Sequence, residues 1–304
     1  MHALNDQVAD VIVVGGSFAG HSAAIQLARA RKAIVMIDAQ RPRNRFATAA
    51  HGFLGQDGRA PAAIMEDATR QLRAYPTAAI VHAAALSVQR EEGVFALTLD
   101  DGSIRRARRL VLATGVKDTL PDIDGMLERW GQTVLHCPYC HGYEVAGHPL
   151  GIVAVHPMSA HQASLIPDWG PATYFTQGVF EPEEAELALL ARRGVAIERT
   201  PVVALLGNAP ALDAVRLADG RTLAMHAIFT GPRTSMASPL AAQLGCAFAD
   251  GPTGPYLTVD ALGLTSVQDV YAAGDAITPM HTATLAAASG VLAGVAAHQS
   301  LMRA

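Results

Sequence analysis

Charge and cysteine are both scarce in this sequence. Of 304 residues, 16% are charged and three are cysteine, while half are apolar. That balance excludes a disordered chain, because the apolar surface available for burial offsets the entropy of ordering. The net charge of −4 argues against nucleic acid or an anionic membrane as the main partner. Arg105, Arg106, Arg108 and Arg109 do bunch together, but they flank a strand-like run and read as a solvated strand edge. No apolar run reaches the ~20 residues that a membrane-spanning helix needs. The Ala-rich stretch from Leu285 to Ala297 contains Gly290 and Gly294 and reads as a buried helix. The N-terminus lacks the charged region and cleavable small-residue site of an export signal. Together these absences predict a soluble cytoplasmic protein, long enough for two domains.

What the chain does contain is a C-x-x-C. Two of its three cysteines fall in Cys137-Pro138-Tyr139-Cys140, and thiols this close in a reducing compartment point to redox chemistry, not to a structural staple. Pro138 suits the first position of a helix, which makes Cys137 the N-cap and puts Cys140 in the first turn. A helix N-terminus lowers thiol pKa, and protonated His136 or His141 would add to the effect. Two other readings of the segment stay open. With His141 it matches the C-x-x-C-H of c-type haem attachment, although that chemistry normally needs export. With nearby histidines it could hold zinc, although no second cysteine pair supplies four ligands. Cys246, in an apolar run, reads as a small buried hydrophobe.

Around that pair the pattern is α/β. Val11 to Val14 is a β-branched run that ends at Gly15-Gly16-Ser17-Phe18-Ala19-Gly20, followed by a helical pattern over His21–Arg31 and a strand Ala33–Ile37 closed by Asp38. This is a βαβ unit with an acidic residue about twenty positions after its glycines, the setting of a dinucleotide fingerprint. Its middle glycine is replaced by Ser17. A helix over Ala60–Arg73 and strands at Val94–Leu99 and Leu110–Leu112 follow, the latter running into Ala113-Thr114-Gly115. A second βαβ pattern has strand Gly151–Val155, helix Ser159–Ile166 and strand Ala172–Thr176. Late in the chain, Val270 to Ala273 is a strand ending in Gly274-Asp275. The expectation is an α/β protein with two Rossmann-like, three-layer domains, the first resuming after the second, with boundaries near residues 117 and 241.

Taken in order, the first fingerprint, the Ala-Thr-Gly strand, the C-x-x-C and the late Ala-Gly-Asp resemble thioredoxin reductase over nearly the whole chain. The run Cys137-Pro138-Tyr139-Cys140-His141-Gly142-Tyr143-Glu144 is most similar to the thioredoxin reductase-like FAD-dependent dithiol oxidases that close disulfides in natural products such as gliotoxin and holomycin. The resemblance implies FAD bound by residues 1–117 and 241–304. Gly15, Gly16, Ser17, Phe18, Ala19 and Gly20 would cradle it and Asp38 would meet its ribose. Thr114, Gly115, Gly274, Asp275, His281, Thr282 and Ala283 would line the rest, although His281 and Thr282 depart from the reductase's Arg-Gln pair.

Residues 118–240 correspond to the NAD(P)H domain and depart further. Its glycine-rich turn is here Ala154-Val155-His156-Pro157-Met158-Ser159, and the basic cluster for a 2′-phosphate falls at uncharged Phe175-Thr176-Gln177. By analogy Cys140 faces the flavin and Cys137 the substrate, with His141 as proton carrier. Glu144 is either a partner of His141 or an exposed charge, and His51 either approaches the flavin or is a structural loop residue. The implied partners are a small-molecule dithiol or disulfide, or thioredoxin, with oxygen as acceptor and a second copy of the chain in a homodimer.

Overall fold

A computed structural model describes residues 8–302. The chain divides into two compact units: Met1–Arg45, Pro61–Lys117 and Ser235–Ala304 form one, Phe46–Ala60 and Asp118–Thr234 the other. Residues 46–60, which the sequence groups with the first unit, cluster with the second, and residues 235–240 cluster with the first.

The first unit is built on strands β1 (Ala9–Val14), β2 (Ile34–Ile37), β3 (Ala78–Val81), β4 (Ala85–Glu91), β5 (Val94–Leu99) and β6 (Ile104–Leu112), in the order β3-β2-β1-β6-β5-β4. Strand Val270–Ala272 joins the C-terminal half of β6 in parallel, while β5 pairs with its N-terminal half in the antiparallel sense. Alternation assigns the two faces. Val11 and Val13 pack with helix α1 (Phe18–Arg29) and the C-terminal helix Ala283–Ser300, while Ile12 and Val14 pack with Phe95, Leu97 and Leu240 on the other face. The C-terminal helix is Ala-rich because it lies close against α1: a Cβ on Gly290 would strike the Ala19 carbonyl. Thr282 caps that helix, its Oγ1 accepting from the Leu285 N–H at 3.1 Å. Thr282→Ala is expected to lower the stability of this unit by about 1 kcal/mol, read as an earlier urea midpoint for flavin release.

Two sequence expectations change here. Helix α1 starts at Phe18, so the last residues of the fingerprint are already helical, with the His21 N–H donating to the Ser17 carbonyl at 3.0 Å. The basic cluster is not a solvated edge. It lies within β6, and Arg109 is only 8% exposed. Its Nε is 3.0 Å from the carboxylate of Asp269, itself buried and also paired with Arg90 at 2.9 Å. A buried guanidinium is retained because it is paired.

The second unit has a five-stranded parallel sheet ordered Ala196–Glu198, Ala172–Phe175, Leu150–Val153, Ala227–Phe229, Val134–Leu135. Its apolar runs are continuous because both faces are covered. Ala160, Ala163 and Leu190 from two helices pack on one face, and the antiparallel strands Val202–Leu206, Ala214–Leu217 and Thr222–Ala224 supply the core of the other.

Candidate active site

In the first unit the fingerprint residues converge at the C-terminal ends of β1, β2 and β6. The Gly15 N–H donates to the Ile37 carbonyl at 2.8 Å and the Ala113 N–H to the Val14 carbonyl at 2.8 Å, which draws the three strand ends together. Gly15 has φ +108°, and a Cβ there would collide with the Ala113 carbonyl. A Cβ on Gly20 would strike the Gly15 carbonyl, and one on Gly16 would overlap the Asp38 carboxyl. The glycines therefore let bare backbone and the Asp38 carboxyl approach closely at the strand ends. Ser17 is the N-cap of α1 and makes no side-chain cap hydrogen bond, so the replaced glycine does not turn its hydroxyl onto the first-turn N–H groups. A strand-end crevice facing the N-terminus of a long helix suits a dinucleotide pyrophosphate.

Thr114 and Gly115 follow β6 after Ala113, and the Ala273 N–H donates to the Leu112 carbonyl at 3.0 Å, bringing Gly274 and Asp275 to the same end of the sheet. Gly274 (φ +78°) has its N–H held by Ser289 Oγ at 2.9 Å. The Asp275 carboxylate pairs with Arg43 at 3.0 Å. The sequence does not single out Arg43, because Arg41 and Arg45 stand beside it and its partner is far along the chain. His281 precedes the cap Thr282, and Ala283 opens the helix.

The second unit carries the thiols. Cys137 and Cys140 form a disulfide with their Cα atoms 5.3 Å apart. Pro138 occupies the first position of helix α2 (Pro138–His141) with Cys137 as N-cap, as the sequence predicts. The helix is a single turn, however, continued by a 3-10 turn over Tyr143–Val145. It therefore carries less dipole than a long helix brings to a thiol. The His136 carbonyl accepts from Gln162 Nε2 at 2.7 Å, anchoring the approach to the disulfide.

His141, Glu144 and His51 line one cavity of about 350 Å³. His51 Nε2 is 3.3 Å from Glu144 Oε1, and its Nδ1 is 3.6 Å from Asp57 Oδ1. Burial pushes the His141 pKa below the ordinary imidazole value. The Glu144 carboxylate pulls it back up and His51 adds to the lowering. Neutral imidazole is therefore the favoured form near neutral pH, the form that can accept a proton. The opposite wall is stiff: Arg129, buried, donates to the carbonyls of Gly125, Gly207 and Ala211 at 2.9, 2.6 and 3.0 Å.

Cys246 is buried, and burial raises its thiol pKa. Its Sγ lies 3.7 Å from Thr265 Oγ1.

At the second fingerprint the backbone is spoken for. The N–H groups of Val155 and His156 both donate to Ser159 Oγ, at 3.2 and 3.4 Å, and Pro157 has none to give. The His156 ring is 6% exposed, and neither ring nitrogen has a hydrogen-bond partner among the described residues. A Cβ on Gly231 would come within 2.8 Å of His156 Nε2, so the ring fills the space against that glycine. Gln177 is engaged at both ends of its amide with the backbone of Val202, at 2.8 and 3.2 Å. The Val155 and His156 N–H groups are thus engaged within the turn, and residues 175–177 carry no cation.

Comparison with known proteins agrees with this anatomy. The family model for pyridine nucleotide-disulphide oxidoreductases matches residues 9–155, spanning the first fingerprint and the disulfide. An oxidoreductase of Agrobacterium tumefaciens is 44% identical, with a TM-score of 0.93 over 97% of this chain and 99% of that one. The structure of HlmI is 35% identical, with a TM-score of 0.91 over 98% of this chain and 94% of that one. Thioredoxin reductase sirT of Leptosphaeria maculans is 29% identical over 94% of this chain and 92% of its own length. This chain belongs to the thioredoxin reductase-like pyridine nucleotide-disulphide oxidoreductases.

Proposed function

We propose that the protein is an FAD-dependent dithiol oxidase that takes electrons from a small-molecule dithiol and gives them to oxygen. The observation that carries this reading is the second fingerprint, where the Val155 and His156 N–H groups donate to Ser159 and the buried His156 ring packs against Gly231. An enzyme of this family without that site must receive its electrons elsewhere, and the thiol pair is the remaining entry.

Family membership implies a flavin, and the crevice at Gly15, Gly16, Gly20 and Asp38 fits its dinucleotide part. Ser17, Phe18 and Ala19 supply the start of α1, with Thr114, Gly115, Gly274, Asp275, His281, Thr282 and Ala283 as further contacts, and Arg43 orients Asp275. Bound FAD supplies a two-electron acceptor for the reduced cysteine pair and a donor to oxygen. The protein's own residues perform the thiol chemistry. A substrate thiolate attacks Cys137 Sγ, forming a mixed disulfide and releasing Cys140 as thiolate. The second substrate thiolate attacks the substrate sulfur of that bond, closing the substrate disulfide and releasing Cys137. Two protons leave the substrate in succession, each passing first to His141, and two electrons remain on the cysteine pair. No helix among the described residues is long and apolar enough to cross a membrane, and a homodimer working in the cytoplasm completes the proposal.

The relatives named thioredoxin reductase favour a second reading, reduction of thioredoxin or another disulfide with NADPH or ferredoxin as donor. Anaerobic mixing separates the two. Dithiothreitol, as a probe dithiol, is expected to bleach the flavin, NADPH to leave it yellow, and readmitted oxygen to restore the colour with formation of hydrogen peroxide. Rapid bleaching by NADPH would overturn the oxidase reading.

A further inference from the structure

The second proton of a dithiol raises a problem that His141 alone does not solve. Each substrate S–H must be deprotonated before its sulfur attacks, so two protons leave in succession, and a single imidazole holds one accepted proton at a time. His141 is half-buried at the end of α2, directly after Cys140. It must lose its first proton before it can take the second.

His141 shares its cavity with two further groups that can accept a proton. Glu144 follows His141 by three residues, on the same face of the turn, and its side chain is 42% exposed. Its Oε1 is 3.3 Å from His51 Nε2, and the other ring nitrogen of His51 looks toward Asp57, itself 69% exposed. Loop 46–60 is shaped for the purpose: Ala50 and Arg59 bridge across its neck, and Asp57 Oδ1 also accepts from the Gly52 N–H at 2.8 Å. His51, Asp57, His141 and Glu144 are the titratable groups at this cavity. The remaining wall, including Gly131–Thr133 and Pro210–Ala211, contributes none.

We propose that His51 is a positioning residue that carries protons from His141 to solvent through Glu144, held in orientation by Asp57. This rests on the dithiol reading of the disulfide. The carried species is the proton alone; the electron pair stays on the cysteine sulfurs, and solvent is the final acceptor of the proton.

The test is anaerobic rapid mixing of the flavin-loaded protein with dithiothreitol across pH, for wild type, His51→Gln and Glu144→Gln. Two readouts are followed: flavin bleaching, and opening of the Cys137–Cys140 disulfide by acid quench and mass spectrometry. His51→Gln is expected to leave the first opening of the disulfide near wild type and to slow flavin bleaching, which follows the second deprotonation, about 10-fold near neutral pH, with the rate recovered as free imidazole is added. Glu144→Gln is expected to slow it similarly and to move the acid limb of the profile to lower pH, because the carboxylate that favours imidazolium at position 141 is gone. Wild-type rates and profiles in both variants would overturn the relay and leave the oxidase reading intact. So would slowing that imidazole fails to relieve, which marks a structural role. Failure of dithiothreitol to open the wild-type disulfide would remove both readings.

Discussion

Cys140→Ser is expected to lower dithiol oxidation by ~10³-fold or more while the protein stays yellow. In the proposed mechanism every electron leaving the substrate passes through the Cys137–Cys140 bond, and a serine oxygen cannot take the place of the departing sulfur. No other thiol among the described residues can substitute, since Cys246 is buried and its pKa is raised by burial; Cys246→Ala should leave turnover near wild type. The two single variants also separate the roles of the pair. In Cys140→Ser the remaining Cys137 thiolate attacks a small symmetrical disulfide, forms one S–S bond, expels one thiolate and stays trapped as a mixed disulfide visible by mass spectrometry. Cys137→Ser should trap far less. Trapping confined to Cys137→Ser would reverse the assignment, and turnover surviving in either variant would end the disulfide mechanism.

Gly15→Val is the second large effect, and it acts on the other unit. At φ +108° a β-branched residue is strained, which costs on the order of 1–3 kcal/mol. Its Cβ would also collide with the Ala113 carbonyl that the β1–β6 ladder holds in place, and such overpacking costs about 1–3 kcal/mol more. Relief requires β1 and β6 to part at the end where Gly16, Asp38 and Thr114 meet. At ~1.4 kcal/mol per tenfold, flavin affinity should fall by ~10²-fold or more, and the purified protein should be pale and regain little colour on adding FAD. Gly102→Ala is the control. Gly102 also has positive φ (+79°), but nothing lies within 4 Å of a Cβ there, so it should cost about 1 kcal/mol and keep its flavin. A colourless Gly102→Ala would show that general destabilisation, not the crevice, governs flavin retention.

Much of this architecture is legible in the residues. The β1–α1–β2 unit follows from a β-branched run, a glycine turn and an acidic residue, all local signals. The Asp100-Asp101-Gly102 hairpin between β5 and β6 follows from turn chemistry. Strand β4 was harder to see, because its antiparallel pairing with β5 turns on Glu92 and Gly93, both at positive φ, and Glu is not a residue that announces such a turn. The burial of Arg109 was not legible either. A guanidinium belongs in a core only if a carboxylate meets it there, and Asp269 arrives from the far end of the chain.

The thiol site divides along the same line. Cys137, Pro138 and Cys140 are close in sequence, so the chain's local geometry alone brings the sulfurs together and sets the N-cap. The emptied second fingerprint is also visible as missing glycines. Only the tertiary structure shows what replaced them: Ser159 folding back onto the turn's N–H groups and a buried His156 ring against Gly231. Likewise it is packing that brings loop 46–60 to the second unit and sets His51 beside Glu144. The sequence by itself determined the local chemistry — a glycine turn, a closable thiol pair, an imidazole next to it. Which groups share a cavity was decided by long-range contacts between elements, and a proton pathway depends on those distances and not on spacing along the chain.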